Sequence, residues 1–253
     1  MRKKKKISQA FTVRSFSSRA AVEKYSAAVD DVRLWESEKI FFSTHFKRGG
    51  RLLDLGCGAG RTTFWLWRGG YKDIIGADIT PPMIRSARKL ARERNIPVEF
   101  VVADGRDLPF GSAVFDGCLF SFNGLMQIPG MKDRIRVMKE VRRVLKKGGT
   151  FVFVTHDREA SRENLPFWRA EKARWKTRGH DPRLLEFGDL IIHADGQQGK
   201  PSFVHIPDRR EILACLKTAG LKRIEDRLLP EIAVEPPHIR KYAFNCRFWA
   251  AVK

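Results

Sequence analysis

Short apolar runs alternate with helical patterns along most of this 253-residue chain, and that alternation restricts the fold more than any other feature. Strands that alternate with helices form a parallel sheet with helices on both faces. Ligands of such sheets bind at the carboxyl ends of the strands. The predicted strands are RLLDL (51–55), KDIIGAD (72–78), VEFVVAD (98–104), AVFDGCLFSF (113–122) and TFVFVTH (150–156).

The remaining segments define the expected domain organisation. Two further strands are predicted near the end of the chain, over 221–229 and 243–253, and residues 157–206 interrupt the alternation. The periodicity of apolar residues predicts helices over 19–47, 61–68, 81–95, 131–147 and 208–219. We therefore expect a single domain over 19–253. Residues 1–18 are basic and are interpreted as a flexible tail, with an organellar transit segment as the alternative.

Composition limits the classes of partner. The formal charge of +20 favours an acidic partner such as nucleic acid, although basic helix faces that merely contact solvent give the same count. The four cysteines show no CxxC spacing, so we expect reduced thiols, no metal site and a cytoplasmic location. No apolar run approaches the roughly 18 residues of a membrane helix, so no membrane contact is expected.

The stretch LLDLGCGAGRT, residues 52–62, places three glycines at alternate positions directly after the first strand. Such turns usually hold a nucleotide, but the dinucleotide fingerprint G-x-G-x-x-G does not fit, because Arg61 occupies the place of its third glycine. Asp54 immediately precedes the turn and would repel a pyrophosphate. A carboxylate there suits a positively charged ligand instead, through direct or water-mediated contact with an ammonium group.

Two more acids end the next two strands. Asp78 is placed to accept hydrogen bonds from both hydroxyls of a ribose. Asp104 could accept from an adenine amino group, while the N–H of Gly105 donates to a ring nitrogen. Each acid taken alone is more simply a turn residue, but three at successive strand ends indicate a ligand with both a nucleoside and a positive charge. S-adenosylmethionine has both and carries no phosphate.

With these motifs, the chain resembles the class I S-adenosylmethionine-dependent methyltransferases, and most closely the group that contains quinone-biosynthesis enzymes. The resemblance rests on LLDLGCGAGRTT, GADITPPMIRSAR, VVADGRDLPF, FDGCLFSF and VRRVLKKGG and covers about 20–156. It implies a Rossmann-like, doubly wound α/β sheet of seven strands, mostly parallel, whose antiparallel last strand (243–253) lies beside 221–229. It also implies contacts to the methionine part of the cofactor from a set of residues: Gly56, Gly58, Gly60, Ser121 and, more loosely, Tyr25. Ile79 completes the predicted cofactor-binding residues.

The acceptor of the methyl group is expected to be a small molecule. RNA is the alternative acceptor, and a non-catalytic protein that binds cofactor or RNA is a third reading. His156, at the end of the fifth strand, is the candidate general base, and Asn123 could orient a substrate oxygen, although each could simply be a strand-end or turn residue. Residues 157–206 are predicted to form a lid over the acceptor, with Phe167, Trp168 or Trp175 as its inner wall. The oligomeric state cannot be inferred.

Overall fold

The computed structural model describes residues 5–122, 124–192, 201–243 and 245–253. Its helices are α1 (Gln9–Phe16), α2 (Arg19–Asp31), α3 (Glu36–His45), α4 (Arg61–Arg68), α5 (Pro81–Glu93), α6 (Met131–Val144), α7 (Leu165–Lys176), α8 (Arg209–Ala219) and α9 (Pro237–Ala243). Its strands are β1 (Leu52–Leu55), β2 (Ile74–Asp78), β3 (Glu99–Val102), β4 (Phe115–Phe120), β5 (Leu145–His156), β6 (Asp189–Ile192), β7 (Ser202–His205), β8 (Lys222–Leu228) and β9 (Cys246–Val252). Short 3₁₀ turns lie at Gly124–Gln127, Arg162–Asn164 and Leu229–Glu231.

Seven strands form the main sheet in the order β3-β2-β1-β4-β5-β9-β8. The first five strands are parallel to one another. β9 is antiparallel to both of its neighbours, and Trp249 of β9 lies opposite Phe153 of β5 on one side and Asp226 of β8 on the other. The order reverses between β1 and β4, so the carboxyl ends of these strands flank the crevice where ligands of open α/β sheets bind. The predicted seven-stranded fold, with its antiparallel last strand inserted beside 221–229, is confirmed.

Local chemistry explains where the helices begin and end. α5 starts with Pro81 at a position whose N–H would have no helical partner. α8 is capped by Asp208, whose carboxylate accepts from the Glu211 N–H at 2.8 Å, and it ends at Gly220 in the left-handed conformation. α6 and α8 bury apolar residues on one face of the sheet, and α2 to α5 cover the other. No described helix has the length and apolarity needed to cross a bilayer.

The structure differs from the predicted elements in several places. The helix expected over 19–47 is two helices, because Arg33 adopts a positive φ of 56° and the Glu38 carboxylate accepts from the Trp35 N–H at the start of α3. The helix expected over 131–147 stops at Val144, where the chain turns into β5 instead. Residues 157–206, called the insertion from here on, contain an antiparallel pair of strands, β6 and β7, where no strand was predicted. Residues 193–200 of this segment lie outside the described residues.

The described part of residues 1–18 contains a helix and packs against the rest of the chain, which differs from the flexible tail expected from the sequence. Residues 9–16 form α1, and the side chains of Ile7, Thr12 and Ser15 are buried. Ile7 packs with Leu184 and Phe203 of the insertion, and its N–H donates to the Arg183 carbonyl at 3.0 Å. One apolar side chain at a tertiary contact leaves almost no periodic signal, so the sequence pattern missed it.

A buried ionic cluster fastens the insertion to the main domain. His205 of β7 lies between two carboxylates, with Nδ1 2.8 Å from Asp189 of β6 and Nε2 2.7 Å from Glu211 of α8. Arg134 of α6 contacts Glu211 at 3.0 Å and Glu186 at 2.5 Å. Burial and the positive charge of Arg134 both act to lower the pKa of His205. The hydrogen bonds to Asp189 and Glu211 have the larger effect, so the pKa of His205 is raised.

This cluster gives the stability of the fold a predictable pH dependence. The contribution of His205 is complete below its unfolded pKa of about 6.5 and is lost as pH rises through the raised folded value. We expect the His205→Asn variant to unfold at a lower urea concentration than the wild type at pH 6. Its free energy of unfolding should be lower than that of the wild type by roughly 1–3 kcal/mol at pH 6, and this difference should be smaller at pH 9. His238→Asn, at an exposed position, is the control. An equal deficit at both pH values would contradict a charged His205.

Candidate functional site

The carboxyl ends of β1 to β4 open into a cavity of about 1130 Å³, counting the space at its mouth that is open to solvent. Eight of the ten predicted cofactor-binding residues line it: Tyr25, Gly56, Gly58, Asp78, Ile79, Asp104, Gly105 and Ser121. The other two, Asp54 and Gly60, lie outside the lining. The strand-end positions chosen from the sequence therefore come together in space, and their binding role stays a prediction.

The glycine turn after β1 requires its glycines at two positions in particular. Gly56 has a φ of 67°, and a Cβ there would approach Phe120 of β4 to 2.5 Å. Gly60, with a φ of 95°, would bring a Cβ within 2.8 Å of Phe64. Any larger side chain would both strain the backbone and push out an aromatic ring. The turn thus forms a tight wall whose backbone faces the cavity at Gly56 and Gly58.

Asp78 joins this turn to the end of β2. Its two carboxylate oxygens accept from the Gly58 N–H at 2.9 Å and the Thr80 N–H at 2.8 Å. Burial raises the pKa of Asp78, and the two backbone hydrogen bonds oppose that shift. Each carboxylate oxygen accepts more than one hydrogen bond, so both can still receive a ligand hydroxyl.

Asp54 lies behind the turn rather than in the cavity wall. It is 1% exposed, and the hydroxyls of Thr62 and Thr63 both donate to its Oδ2 at 2.5 Å. Burial raises its pKa to about 6, and the threonine hydrogen bonds oppose that shift. Direct or water-mediated contact with a ligand ammonium was predicted for Asp54; it does not line the cavity, and its contacts are to the threonines that follow the turn.

Asp104 lines the cavity with its carboxylate already engaged. Arg106 contacts it through Nε at 3.1 Å and Nη2 at 2.7 Å, and reaches Asp133 of α6 through Nη1 at 2.7 Å. Burial opposes ionisation of Asp104, but the hydrogen bonds from Arg106 prevail and lower its pKa. The sequence DGRD contains both partners, so this ion pair could have been foreseen. The adenine contact proposed for Asp104 would have to share the carboxylate with Arg106.

A buried ion pair behind the cavity was missed by the sequence analysis. Glu38 of α3 is fully buried and receives Arg61 Nη1 at 2.6 Å, Arg61 Nη2 at 2.7 Å and the Ser121 hydroxyl at 2.6 Å. Arg61 also lies over the rings of Trp35 and Phe122. Ser121 and Arg61 both line the cavity, so α3 supports the site without being in its wall. The feature of the sequence that could have indicated this ion pair is Arg61, which occupies the position of the third glycine in the dinucleotide fingerprint G-x-G-x-x-G.

Another part of the cavity wall comes from α1, α2 and the segment after β4. Phe16, Tyr25 and Phe122 form a chain of edge-to-face rings with centroids 5.7 and 6.4 Å apart. Burial, reinforced by the nearby charge of Asp78, raises the pKa of Tyr25 to about 12, so its hydroxyl stays protonated. Thr12 of α1 donates to the Gln127 carbonyl at 3.1 Å, which closes α1 against the 3₁₀ turn.

Deletion of residues 1–18 therefore tests whether α1 is part of the fold and of the cavity. We expect the truncated chain to lose roughly 1.5–3 kcal/mol of stability, the usual value of burying one large apolar side chain, because the contacts of Ile7 with Leu184 and Phe203 are lost. We also expect weaker binding of S-adenosylhomocysteine, since Phe16 leaves the wall. Thermal unfolding and calorimetry measure the two effects, with deletion of 1–4 as the control. Unchanged melting and affinity would restore the flexible-tail interpretation.

His156, one of the two predicted catalytic residues, does not line this cavity. His156 lines a smaller cavity with Phe167 and Trp168, and its N–H donates to Met126 Sδ at 3.0 Å. Asn123 lies outside the described residues. Trp175 packs near Ile7 and stacks on His180 at 3.8 Å between centroids. Among the described residues, none of the 157–206 insertion lines the main cavity, so the aromatic inner wall predicted from the insertion is supplied by α1 and α2 instead.

The main cavity suits S-adenosylmethionine on structural grounds. At Gly58 a Cβ would meet nothing nearer than Tyr25 Cδ1 at 3.9 Å, so the backbone of the turn borders open space that a ligand can occupy. The buried Asp78 carboxylate matches ribose hydroxyls, and Ile79 and Met83 add apolar surface beside it. S-adenosylmethionine carries no phosphate, and the two arginines that line the cavity are already paired with carboxylates, Arg61 with Glu38 and Arg106 with Asp104.

Comparison with known proteins agrees with this reading. Residues 53–153 match the family model described as a methyltransferase domain. A demethylmenaquinone methyltransferase from Staphylococcus carnosus is 28% identical over 76% of this chain and 76% of its own length. A ubiquinone/menaquinone biosynthesis C-methyltransferase UbiE from Sinorhizobium fredii is 30% identical over 69% of this chain, which spans 65% of that relative.

The fold comparison points the same way. The crystal structure of a SAM-dependent methyltransferase from Methanosarcina mazei superposes with a TM-score of 0.67 at 23% identity, and covers 84% of this chain and 96% of that one. At this identity the superposition shows the shared fold. Together with the sequence relatives and the geometry of the cavity, it shows that the chain belongs to the S-adenosylmethionine-dependent methyltransferases.

Proposed function

We propose that this protein transfers the methyl group of S-adenosylmethionine to a ring carbon of a small planar acceptor. The observation that carries the proposal is the single cavity that joins the glycine turn and Asp78 on one side to Phe16 and Phe122 on the other. The similarity to a demethylmenaquinone methyltransferase and to a C-methyltransferase of ubiquinone and menaquinone biosynthesis supports a quinone-type acceptor and carbon as the methylated atom.

The residues of the cavity supply orientation and exclusion of water. S-adenosylmethionine provides a methyl group already activated on a sulfonium, so the protein must mainly hold the acceptor atom in line and close to it. The Asp78 carboxylate and the glycine turn fix one ligand, and the rings of Phe16, Tyr25 and Phe122 offer apolar faces to a second. The hydrogen bond from the Thr12 hydroxyl to the Gln127 carbonyl holds α1 against the 3₁₀ turn and closes the cavity between these two elements.

The experiment is methyl transfer from labelled S-adenosylmethionine to a short-chain demethylmenaquinone, tested in its reduced and its oxidised form. We expect ring methylation of the reduced form, because its hydroxyl-bearing ring is electron-rich, whereas a ring flanked by carbonyls is a poor nucleophile. Mass spectrometry of the product locates the methyl group. A single-stranded RNA serves as the competing acceptor. Labelling of RNA alone would overturn the proposal.

His156 is tested by the same assay. Its place in the smaller cavity leads us to expect that His156→Ala retains nearly all of kcat, with cofactor affinity unchanged. A general base would instead cost roughly 10²–10⁴ in turnover. A fall of that size, in a variant that melts like the wild type, would return His156 to the role predicted from the sequence.

A further inference from the structure

Helix α7 of the insertion presents an outer face of short side chains flanked by long ones. Its inner side carries Trp168, Glu171 and Trp175, which follow one another at helical spacing and pack on the rest of the chain. Ala170 and Ala173 are exposed on the outer side. The two edges between these sides carry exposed long side chains: Arg169, Lys172 and Lys176 along one edge, and Phe167 and Arg174 along the other. Because long side chains flank short ones, this face of α7 can lie flat on a surface.

Most cations of this helix lack a counter-charge within the protein. Among the described residues, Arg169, Lys172 and Lys176 form no ion pair or hydrogen bond, and only Arg174 of α7 is paired, with Glu171. The arginines of the other strongly basic helix, α6, all donate to carboxylates or to backbone carbonyls. Exposed cations that the protein does not neutralise favour an anionic partner.

Exposed apolar side chains lie beside the same helix. Phe167 is 46% exposed and lines the small cavity together with Leu190 of β6. Ile192, which is 39% exposed, lies on the same side of β6 as Leu190, because side chains alternate along a strand. Single-stranded nucleic acid binds to cations and stacks on aromatic rings, but gains little from an aliphatic side chain. A lipid interface accepts cations, aromatic rings and aliphatic side chains together, so it fits this surface better.

The helix also lies at the same edge of the main sheet as the cofactor cavity. Phe167 and Trp168 share the small cavity with His156, the last residue of β5, so α7 is at the carboxyl ends of the parallel strands. Phe11 of α1 and Trp175 pack against one apolar cluster, and α1 in turn lines the main cavity. A surface that binds α7 therefore meets the protein at the edge where the cofactor cavity lies.

We propose that α7 docks the protein on an anionic lipid bilayer, with its cations against the headgroups and Phe167 in the interface. Docking from one side needs no membrane-spanning helix, so the proposal departs from the expectation of no membrane contact that followed from the lack of long apolar runs. It concerns a surface outside the cofactor cavity and goes beyond the proposed function. Docking also places the protein where an apolar acceptor dissolves, and only this last step rests on the proposed function.

Co-sedimentation with vesicles tests the proposal without turnover. The probes are vesicles of phosphatidylcholine alone and of phosphatidylcholine with one quarter phosphatidylglycerol. We expect the full-length wild type to bind the anionic vesicles much more tightly than the neutral ones, and to be released as the salt concentration rises. A variant with Arg169→Gln, Lys172→Gln and Lys176→Gln should bind the anionic vesicles roughly tenfold or more weakly. Phe167→Ala should weaken the binding that remains at raised salt.

A variant with Arg85→Gln, Lys89→Gln and Arg92→Gln on α5 is the matched control. It removes the same charge from exposed cations of another helix, so its vesicle binding should stay within about twofold of the wild type. Both triple variants should keep the wild-type Kd for S-adenosylhomocysteine in calorimetry, because none of the replaced side chains lines the cofactor cavity.

Three results would overturn the proposal. The first is equal binding of the two kinds of vesicle to the wild type, and the second is an equal loss of binding in the two triple variants. The third is a wild type that binds no vesicles but binds a single-stranded RNA, with the α7 variant losing that binding; the surface would then belong to RNA. If the vesicle results hold but no quinol is methylated, the proposed function fails on its own and the docking surface stands.

Discussion

Replacing Glu38 with alanine is expected to lower the free energy of unfolding by roughly 3–5 kcal/mol, the usual cost of breaking a buried ion pair by removing one partner. Glu38 is fully buried and accepts from both terminal nitrogens of Arg61. It also accepts from the Ser121 hydroxyl and the Trp35 N–H. The variant leaves the Arg61 guanidinium at 7% exposure without its counter-charge. Urea unfolding at neutral pH measures the loss.

Glu36→Ala provides a control on the same helix. Glu36 pairs with Lys39 at 2.6 Å, but both side chains are about half exposed, so the change should fall within about 1 kcal/mol. The double variant Glu38→Met with Arg61→Met should be less destabilised than Glu38→Ala, since it removes both charges together. A loss below about 1 kcal/mol in Glu38→Ala would show that the buried pair contributes little to the fold.

The parts of the structure that the sequence predicted are those encoded over short distances. The strand ends at Leu55 and Asp78 follow from alternating apolar runs and from turn residues that lie next to them. Pro81 and Gly220 mark helix ends through their own backbone preferences. Because all parallel strands end on the same side of the sheet, placing residues at strand ends was enough to bring seven of them to one cavity, and Tyr25 of α2, implied only by the resemblance, is the eighth.

The parts that were missed depend on contacts between distant segments. The Ser121–Glu38 hydrogen bond joins residues 83 positions apart, and no pattern around Glu38 distinguishes it from an exposed helical glutamate. α1 is recognisable as part of the fold only through Ile7 and its neighbours in the insertion. The insertion itself was assigned to the acceptor by its aromatic content, whereas Trp168 and Trp175 fill other packing sites.

The cofactor side of the cavity depends most on Asp78. We expect Asp78→Ala to weaken binding of S-adenosylmethionine by roughly 1.5–3 kcal/mol, the worth of hydrogen bonds to a charged group, or about tenfold to more than a hundredfold in Kd. Part of the loss comes from the ligand hydroxyls. The rest comes from the Gly58 and Thr80 N–H groups, which lose the carboxylate that fixes the turn.

Two further variants separate these contributions. Asp78→Asn keeps one oxygen for a backbone N–H but has no charge, so its affinity should lie between those of the wild type and Asp78→Ala. Asp73→Ala, just before the same strand, removes an acid that is 58% exposed and should leave affinity unchanged.

Because burial raises the pKa of Asp78, the affinity of the wild type should begin to fall at a higher pH, as the solution is acidified, than it would if Asp78 had the ordinary aspartate pKa near 3.9. That pH dependence should be absent from Asp78→Asn. Calorimetry that finds wild-type affinity in a folded Asp78→Ala protein would remove Asp78 from the binding site.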